Sequence, residues 1–254
     1  MKTLCLGFSC YNGSGRYLTH PPPPVHSISK QDLMDLLRGS ERLSSLKLGR
    51  DFWYSDADAF RAVSQLRNLT DLAIEGAVDD DWLYVQDYEL FPNVKKLEID
   101  SLTEAGFGML VPHIRKNVTN LIVHIRERST KVLQIAAALP NLKSFEVCFR
   151  LTDSKQLSSV QGGDLLMLAK NCPELTRLKV SPGVEDEWAE EGWLREYLPD
   201  SSGTIDDALV EQVVNCLPNL TLLECQTCDY KRKDHLASCT NRFPWYDWYC
   251  ERNC

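Results

Sequence analysis

The residues Leu142-Lys143-Ser144-Phe145-Glu146-Val147 form a six-residue phrase, apolar-x-x-apolar-x-apolar, that decides how this chain folds. The phrase returns along most of the chain, with its first apolar residue at Leu43, Leu69, Val94, Val118, Leu175 and Leu220. Its middle apolar residue stands at positions 46, 72, 97, 121 and 145, so these copies lie 26, 25, 24 and 24 residues apart. A period of this size indicates an array of stacked structural units.

Each copy of the phrase has the pattern of a short strand, because apolar and polar residues alternate over its last three positions. Helical patterns precede several copies, most plainly from Gly163 to Cys172 and from Asp206 to Leu217. The segment from Phe107 to Ile114 contains Pro112, which predicts a short or broken helix there. The alternation of helices and strands predicts an α/β fold with a parallel sheet.

One unit carries a more specific pattern. A helix is followed by Asn171-Cys172-Pro173 and then by Leu175-x-x-Leu178-x-Val180. This pattern resembles the cysteine-containing leucine-rich repeats of F-box proteins and of ribonuclease-inhibitor-like horseshoes, and the irregular unit lengths look most like fungal F-box proteins. The resemblance covers residues 1–225 and implies a solenoid with a parallel concave sheet and irregular convex helices.

The same resemblance implies a function. The chain would be the substrate-recognition part of an F-box type SCF ubiquitin ligase, without catalytic activity of its own. Its partners would be a protein substrate and, through an N-terminal module, Skp and cullin subunits. Because Met1 to Leu6 already fits the strand phrase, either another segment covers that strand or such a module precedes Met1. A stand-alone repeat scaffold, or a fragment without a ligase role, is the alternative.

Composition narrows the classes of partner. The chain has 254 residues, 43% of them hydrophobic and 25% charged, with a net charge of -8, which argues against nucleic acid as a partner. The sequence has no run approaching the roughly 20 apolar residues that span a membrane, and its first residues are too short an apolar run for a secretory signal. We therefore expect a cytoplasmic or nuclear protein. Glycosylation sequons occur at Asn12, Asn68, Asn117 and Asn219, and the last three lie at or beside strand entries, so they are interpreted as products of the repeat phrase.

Three segments depart from the regular spacing. A loop rich in Gly, Ser and Pro is predicted over residues 9–28, and an acidic insertion over 181–204. Residues 226–254 hold several cysteine and aromatic residues and are predicted to form a C-terminal cap or tail.

The residues between the apolar positions of each strand are the candidate partner-binding surface, because side chains alternate across a strand. These residues are expected to face the concave side and to contact a protein substrate or scaffold partner, with a few of them supplying most of the binding energy. The candidates are Lys47, Glu75, Glu98, Asp100, Ile122, His124, Glu146, Lys179 and Glu224.

The acidic insertion offers a second candidate surface. Trp188, Trp193 and Tyr197 stand among acidic residues and could anchor a basic partner, since Trp and Tyr are enriched among binding hot spots. The alternative is an extra helix whose aromatic residues pack on the array while its acids stay solvated.

The C-terminal cysteines raise the question of a metal. Cys228, His235, Cys239 and Cys250 are zinc-ligand residue types, and a zinc-stabilised binding module is a further alternative. We expect instead that the segment is an aromatic cap, with no metal and no cofactor. The sequence contains no Gly-x-Ser-x-Gly, His-Glu-x-x-His or phosphate-binding glycine motif, so we expect a protein that is not an enzyme.

Overall fold

A computed structural model describes residues 2–6, 30–49, 57–75, 90–126, 131–150, 161–183 and 207–225. The strands are β1 Thr3–Leu6, β2 Ser45–Leu48, β3 Asp71–Ile74, β4 Lys96–Leu102, β5 Asn120–Ile125, β6 Ser144–Arg150, β7 Arg177–Gly183 and β8 Leu222–Cys225. The helices within the described ranges are α1 Lys30–Arg38, α2 Ala57–Ser64, α3 Glu104–Ile114, α4 Lys131–Ala136, α5 Gly162–Asn171 and α6 Asp207–Cys216.

The eight strands form one parallel sheet in sequential order, β1 to β8. The middle apolar residue of each phrase is in register with that of the next, so Leu97 pairs with Leu121 and Leu121 with Phe145. The predicted α/β class with a parallel sheet is therefore confirmed. Register persists across unequal spacings because the phrase itself, and not the length of each connection, sets which residues are buried.

The two faces of the sheet differ in burial. Leu46 and Leu48 are buried while Lys47 between them is exposed, and the same alternation recurs along the sheet. The buried strand residues join the buried helix residues, such as Leu110 and Val132, in one hydrophobic core. We call the side of Leu46 and Leu48 the covered face and the side of Lys47 the open face.

Two series of side-chain hydrogen bonds connect each unit to the previous one. Hydroxyl groups at the strand entries donate to a backbone carbonyl one unit earlier. Thr70 Oγ1 lies 3.2 Å from the Ser44 carbonyl oxygen, and Thr221 Oγ1 lies 2.9 Å from that of Thr176. The side-chain amides of asparagines two residues before these entries also donate to a carbonyl one unit earlier. Asn68 Nδ2, for example, lies 2.6 Å from the Glu41 carbonyl oxygen. The hydroxyl groups thus add to carbonyls that already accept backbone amides of the next unit, as the Ser44 carbonyl does from Thr70 and Asp71, and they reinforce the connection between neighbouring units.

These two series also explain why sequons occur where they do. Asn117 donates to the Pro92 carbonyl, and Thr119, two residues later, lies 3.4 Å from the Lys95 carbonyl. An asparagine followed by a threonine at this spacing matches the glycosylation sequon, yet both side chains are already hydrogen-bonded to backbone carbonyls. Asn141 occupies the equivalent position of its unit and donates to the Lys116 carbonyl oxygen at 3.1 Å, although Lys143 two residues later means that it belongs to no sequon.

The prediction of a broken helix at Pro112 is wrong. Helix α3 runs without interruption from Glu104 to Ile114 and is capped by Thr103, whose hydroxyl accepts from the Gly106 amide at 2.9 Å. Pro112 lies exposed in the last turn, where its ring projects into solvent and one missing N–H removes a single helix bond. The buried face of the helix, including Phe107, outweighs that loss.

Strand β7 extends through Gly183, three residues into the segment predicted as an insertion. The rest of the insertion, the whole of the predicted loop over 9–28 and the C-terminal segment 226–254 lie outside the described residues. Across the described ranges, the helices are too short or too polar to cross a membrane.

Candidate interaction surface on the open face

The open face carries a continuous row of residues, one from each strand. The strand register brings these side chains into line across neighbouring strands. The row consists of Cys5, Lys47, Ala73, Glu98, Ile122, Glu146, Lys179 and Glu224. Glu224 occupies its register position, and its side chain is outside the described part. Six of the candidate residues predicted from the sequence are in this row, and the other three, Glu75, Asp100 and His124, lie two residues further along their strands.

Ion pairs order much of this surface. Lys47 Nζ lies 2.5 Å from Glu75 Oε1, and Lys179 Nζ lies 3.6 Å from Glu146 Oε1. The hydrogen bond with Glu75 raises the pKa of Lys47. Burial opposes this rise as the second-largest cause, and the charges of Glu75 and Glu98 add smaller increases. The charges of Lys47 and Lys179 are thus partly neutralised by carboxylates of the same chain.

Glu98 and Ile122 are side by side at the centre of the row, and both are half-buried. Among the described residues Glu98 forms no salt bridge, unlike Glu75 and Glu146. A carboxylate next to an aliphatic side chain can bind a partner residue through charge and apolar contact together.

A β-bulge follows this central pair, and it corrects one expectation. Ile99 pairs with Val123 and Leu102 with Ile125, so Asp100 and Ser101 together stand opposite His124. Asp100, expected as an exposed side chain, is therefore buried, with 7% of its surface accessible. The extra residue turns the strand and draws the carboxylate inward.

The bulge contains a rare backbone conformation and a specific side-chain contact. Ser101 has a φ of 67°, in the left-handed region that non-glycine residues seldom adopt. Its hydroxyl accepts a hydrogen bond from Arg126 Nε at 2.7 Å. His124 Nδ1 lies 3.0 Å from Asp100 Oδ1, with both atoms shielded from solvent and with angles outside the hydrogen-bond range. The contact is therefore mainly electrostatic when the imidazole is protonated.

Sequence reasoning missed a second row on the open face. The residues two positions before the first row also project from this face by the same alternation. They are Thr3, Ser45, Asp71, Lys96, Asn120, Ser144, Arg177 and Leu222. The sequence does contain a signal for this second row, because the alternation of buried and open-face residues extends in both directions from Lys47. Ser101 and Arg126 were also missed, and no sequence signal marks the bulge that brings them together.

The cysteines divide into different environments. Cys172 is fully buried, and its thiol lies 3.3 Å from the Leu139 carbonyl oxygen and 3.8 Å from that of Ala136. Burial raises the pKa of this thiol to about 11. Cys148 and Cys216 are half-buried and Cys5 is exposed, and none of the four is in a disulfide. Cys172 therefore packs in the core as a small apolar residue does.

Several predicted site residues lie outside the described ranges. They are Trp188, Trp193 and Tyr197 of the insertion and the zinc candidates Cys228, His235, Cys239 and Cys250. Within the ranges that are described, no three His, Cys, Asp or Glu side chains are grouped to hold a metal ion.

Compared with known proteins, the chain matches no protein-family model and no curated protein.

Proposed function

We propose that the sheet and its helices form a leucine-rich-repeat solenoid whose concave side is the open face. Two observations support this proposal. The eight strands are parallel and sequential, with one phrase in one register. The hydroxyl and asparagine bonds, such as those of Thr70 and Asn68, repeat between neighbouring units. Interactions confined to nearest neighbours are the defining property of a solenoid.

We further propose that the chain is a non-catalytic protein-interaction module, the substrate-recognition part of an F-box type SCF ubiquitin ligase, acting in the cytoplasm or nucleus. The observation that carries the interaction role is the first row of the open face. It combines charges of both signs with the apolar Ile122 and Ala73. Phosphate backbones require clustered cations, whereas Lys47 and Lys179 are each paired with a carboxylate. A protein surface satisfies such a mixed row better.

The interaction role is tested by exchanging charge and polarity at the centre of the row. We expect a Glu98→Arg, Ile122→Asp double variant to lose specifically captured proteins by about tenfold or more in affinity enrichment from cells. The matched control is Lys116→Glu, Lys170→Glu, because both lysines are exposed away from the open face. Equal capture by the wild type and both variants would remove the open face as the binding surface.

The ligase role needs a separate readout. We expect Skp and cullin subunits to co-purify with the protein from its native source, and captured substrates to accumulate when the gene is deleted. If the open face captures proteins and neither Skp nor cullin co-purifies, the chain is a stand-alone scaffold and not part of a ligase.

Replacing Trp188, Trp193 and Tyr197 by alanine tests the insertion in the same assay. An unchanged set of captured proteins would exclude the insertion from recognition.

A further inference from the structure

Three ionisable side chains follow one another across the centre of the open face, on three adjacent strands. Asp100 belongs to β4, His124 to β5 and Cys148 to β6. His124 Nδ1 lies 3.0 Å from Asp100 Oδ1, and Cys148 is the register partner of His124 on the other side. The order across the sheet is acid, base, thiol.

The register places Cys148 and His124 within reach of each other. Neighbouring strands of a sheet lie about 4.8 Å apart. Both residues project from the open face, because the residues before and after each of them are buried. An imidazole and a thiol that start from adjacent positions on the same face can meet through ordinary staggered rotamers. Cys148 is half-buried, so part of its surface is exposed within the described part of the chain.

We propose that Cys148 is an activated thiol and a site of covalent modification by soft carbon electrophiles of the activated-alkene class. His124 acts as its base, and Asp100 positions that base. The Nε2 atom of His124 takes the proton from the thiol, and a sulfur lone pair forms the bond to the β-carbon. The alkene π electrons move to the α-carbon, which takes the proton back from the imidazolium. The addition consumes no oxidant or reductant.

The buried carboxylate makes His124 suited to this step. The Asp100 carboxylate lies 3.0 Å from Nδ1, so Nε2 is the ring nitrogen left to face the thiol. It also stabilises the imidazolium that forms when Nε2 takes the thiol proton, the role an acid has in a thiol–imidazole–carboxylate relay. The bulge at Ser101 is what brings Asp100 beneath the ring, and backbone outliers of this kind are concentrated at functional sites.

The other charged groups around the site are of both signs. Glu146, two residues before Cys148, is paired with Lys179 on the next strand at 3.6 Å. Arg126, two residues after His124, donates to Ser101, and Glu98 precedes Asp100 by two residues on β4. The anionic neighbour on the strand of Cys148 is thus compensated by a cation, so it opposes formation of the thiolate only weakly.

The chain contains two reference thiols for an experiment. Cys5 is exposed on the same face, and Cys172 is fully buried. We would treat the whole protein with N-ethylmaleimide at pH 6 to 8 and measure the rate at each cysteine by peptide mass spectrometry. Cys148 is expected to react roughly tenfold faster than Cys5 at pH 7, with a weaker pH dependence, while Cys172 stays protected.

Two variants separate the base from general accessibility. His124→Gln is expected to bring the Cys148 rate down to that of Cys5 and to restore the roughly tenfold rise per pH unit of an ordinary thiol below its pKa. Asp100→Asn is expected to fall between the two. Continued protection of Cys172 shows that each variant is folded.

A wild-type Cys148 that reacts no faster than Cys5, or with the same pH profile, overturns the proposal whether or not the variants fold. So does a folded His124→Gln variant with an unchanged Cys148 rate. This outcome would leave protein binding by the open face untouched.

Discussion

The covered and open faces belong to the same strands but follow different rules. On β5, Leu121, Val123 and Ile125 are fully buried against the helices, and every strand repeats this apolar pattern. Ile122 and His124, which alternate with them, differ in chemistry from their register partners on the neighbouring strands. The covered face must be the same in each unit because the units share one core, whereas the open face is free to vary. Stability is thus expected to depend on one face and recognition on the other.

The largest expected effect compares adjacent residues of β5. Replacing Leu121, which is fully buried, by alanine should lower the free energy of unfolding by about 2 to 5 kcal/mol, because it removes buried methyl groups and leaves a cavity. Replacing Ile122, which is only partly buried, by alanine should cost less, about 1 to 2 kcal/mol. Urea denaturation of both variants measures the difference. Equal losses would show that the open face is part of the core after all.

A second test uses the buried thiol on the covered side. The pKa of Cys172 is about 11 in the folded chain, against 9.0 for an ordinary thiol. Between these values the unfolded chain has lost the proton and the folded chain keeps it, so stability falls as pH rises from about 9 to about 11. The loss amounts to about 2 to 3 kcal/mol.

The control for this test is Cys172→Ala, which lacks the thiol. Other groups titrate in the same pH range in both proteins, so the quantity to follow is the difference in unfolding free energy between wild type and variant. That difference should shift in favour of the variant between pH 9 and pH 11. A constant difference would mean that water reaches the thiol in the folded state.

Much of the covered face was predictable because it depends only on a pattern repeated in the sequence. The apolar positions of the phrase whose side chains are described, such as Leu46, Leu97 and Phe145, are buried, and their near-constant spacing predicted the sequential parallel sheet. The error at Pro112 has a different origin. A local rule about proline was applied where the packing of Phe107 and Leu110 decides the outcome.

The centre of the open face could not be predicted in the same way. In the sequence, Glu98 and Asp100 continue the alternation of β4 without any sign of an extra residue. The left-handed residue of the bulge is Ser101 and not a glycine, the residue that usually marks such a position. Only the pairing with β5, in which two residues face His124, shows that Asp100 turns inward.

The bulge provides the third test, since it is where the open face contains a buried charge. Asp100→Ala should lower the free energy of unfolding by about 1 to 3 kcal/mol, because it leaves the shielded Nδ1 of His124 without its carboxylate. Glu98→Ala, two residues earlier on the same strand, should change stability by less than about 0.5 kcal/mol. Thermal and urea unfolding measure both. A neutral Asp100→Ala variant would place this carboxylate among the ordinary solvated residues of the open face.

The smallest expected effect concerns the backbone at Ser101. Both Ser101→Gly and Ser101→Ala remove the hydroxyl that accepts from Arg126, so the lost hydrogen bond is the same in the two variants. They differ only in backbone preference. At a φ of 67°, alanine pays the energetic cost of the left-handed backbone conformation, which glycine avoids. The glycine variant should therefore be the more stable by about 1 kcal/mol.

Ser144 is the matched control, because it lies on the same face in a regularly paired part of β6. There the order should reverse, since glycine in an ordinary strand is less stable than alanine by about 0.5 to 1 kcal/mol. The same order at both positions would mean that the bulge is absent in solution, and Asp100 would then return to the exposed row in which the sequence alone had placed it.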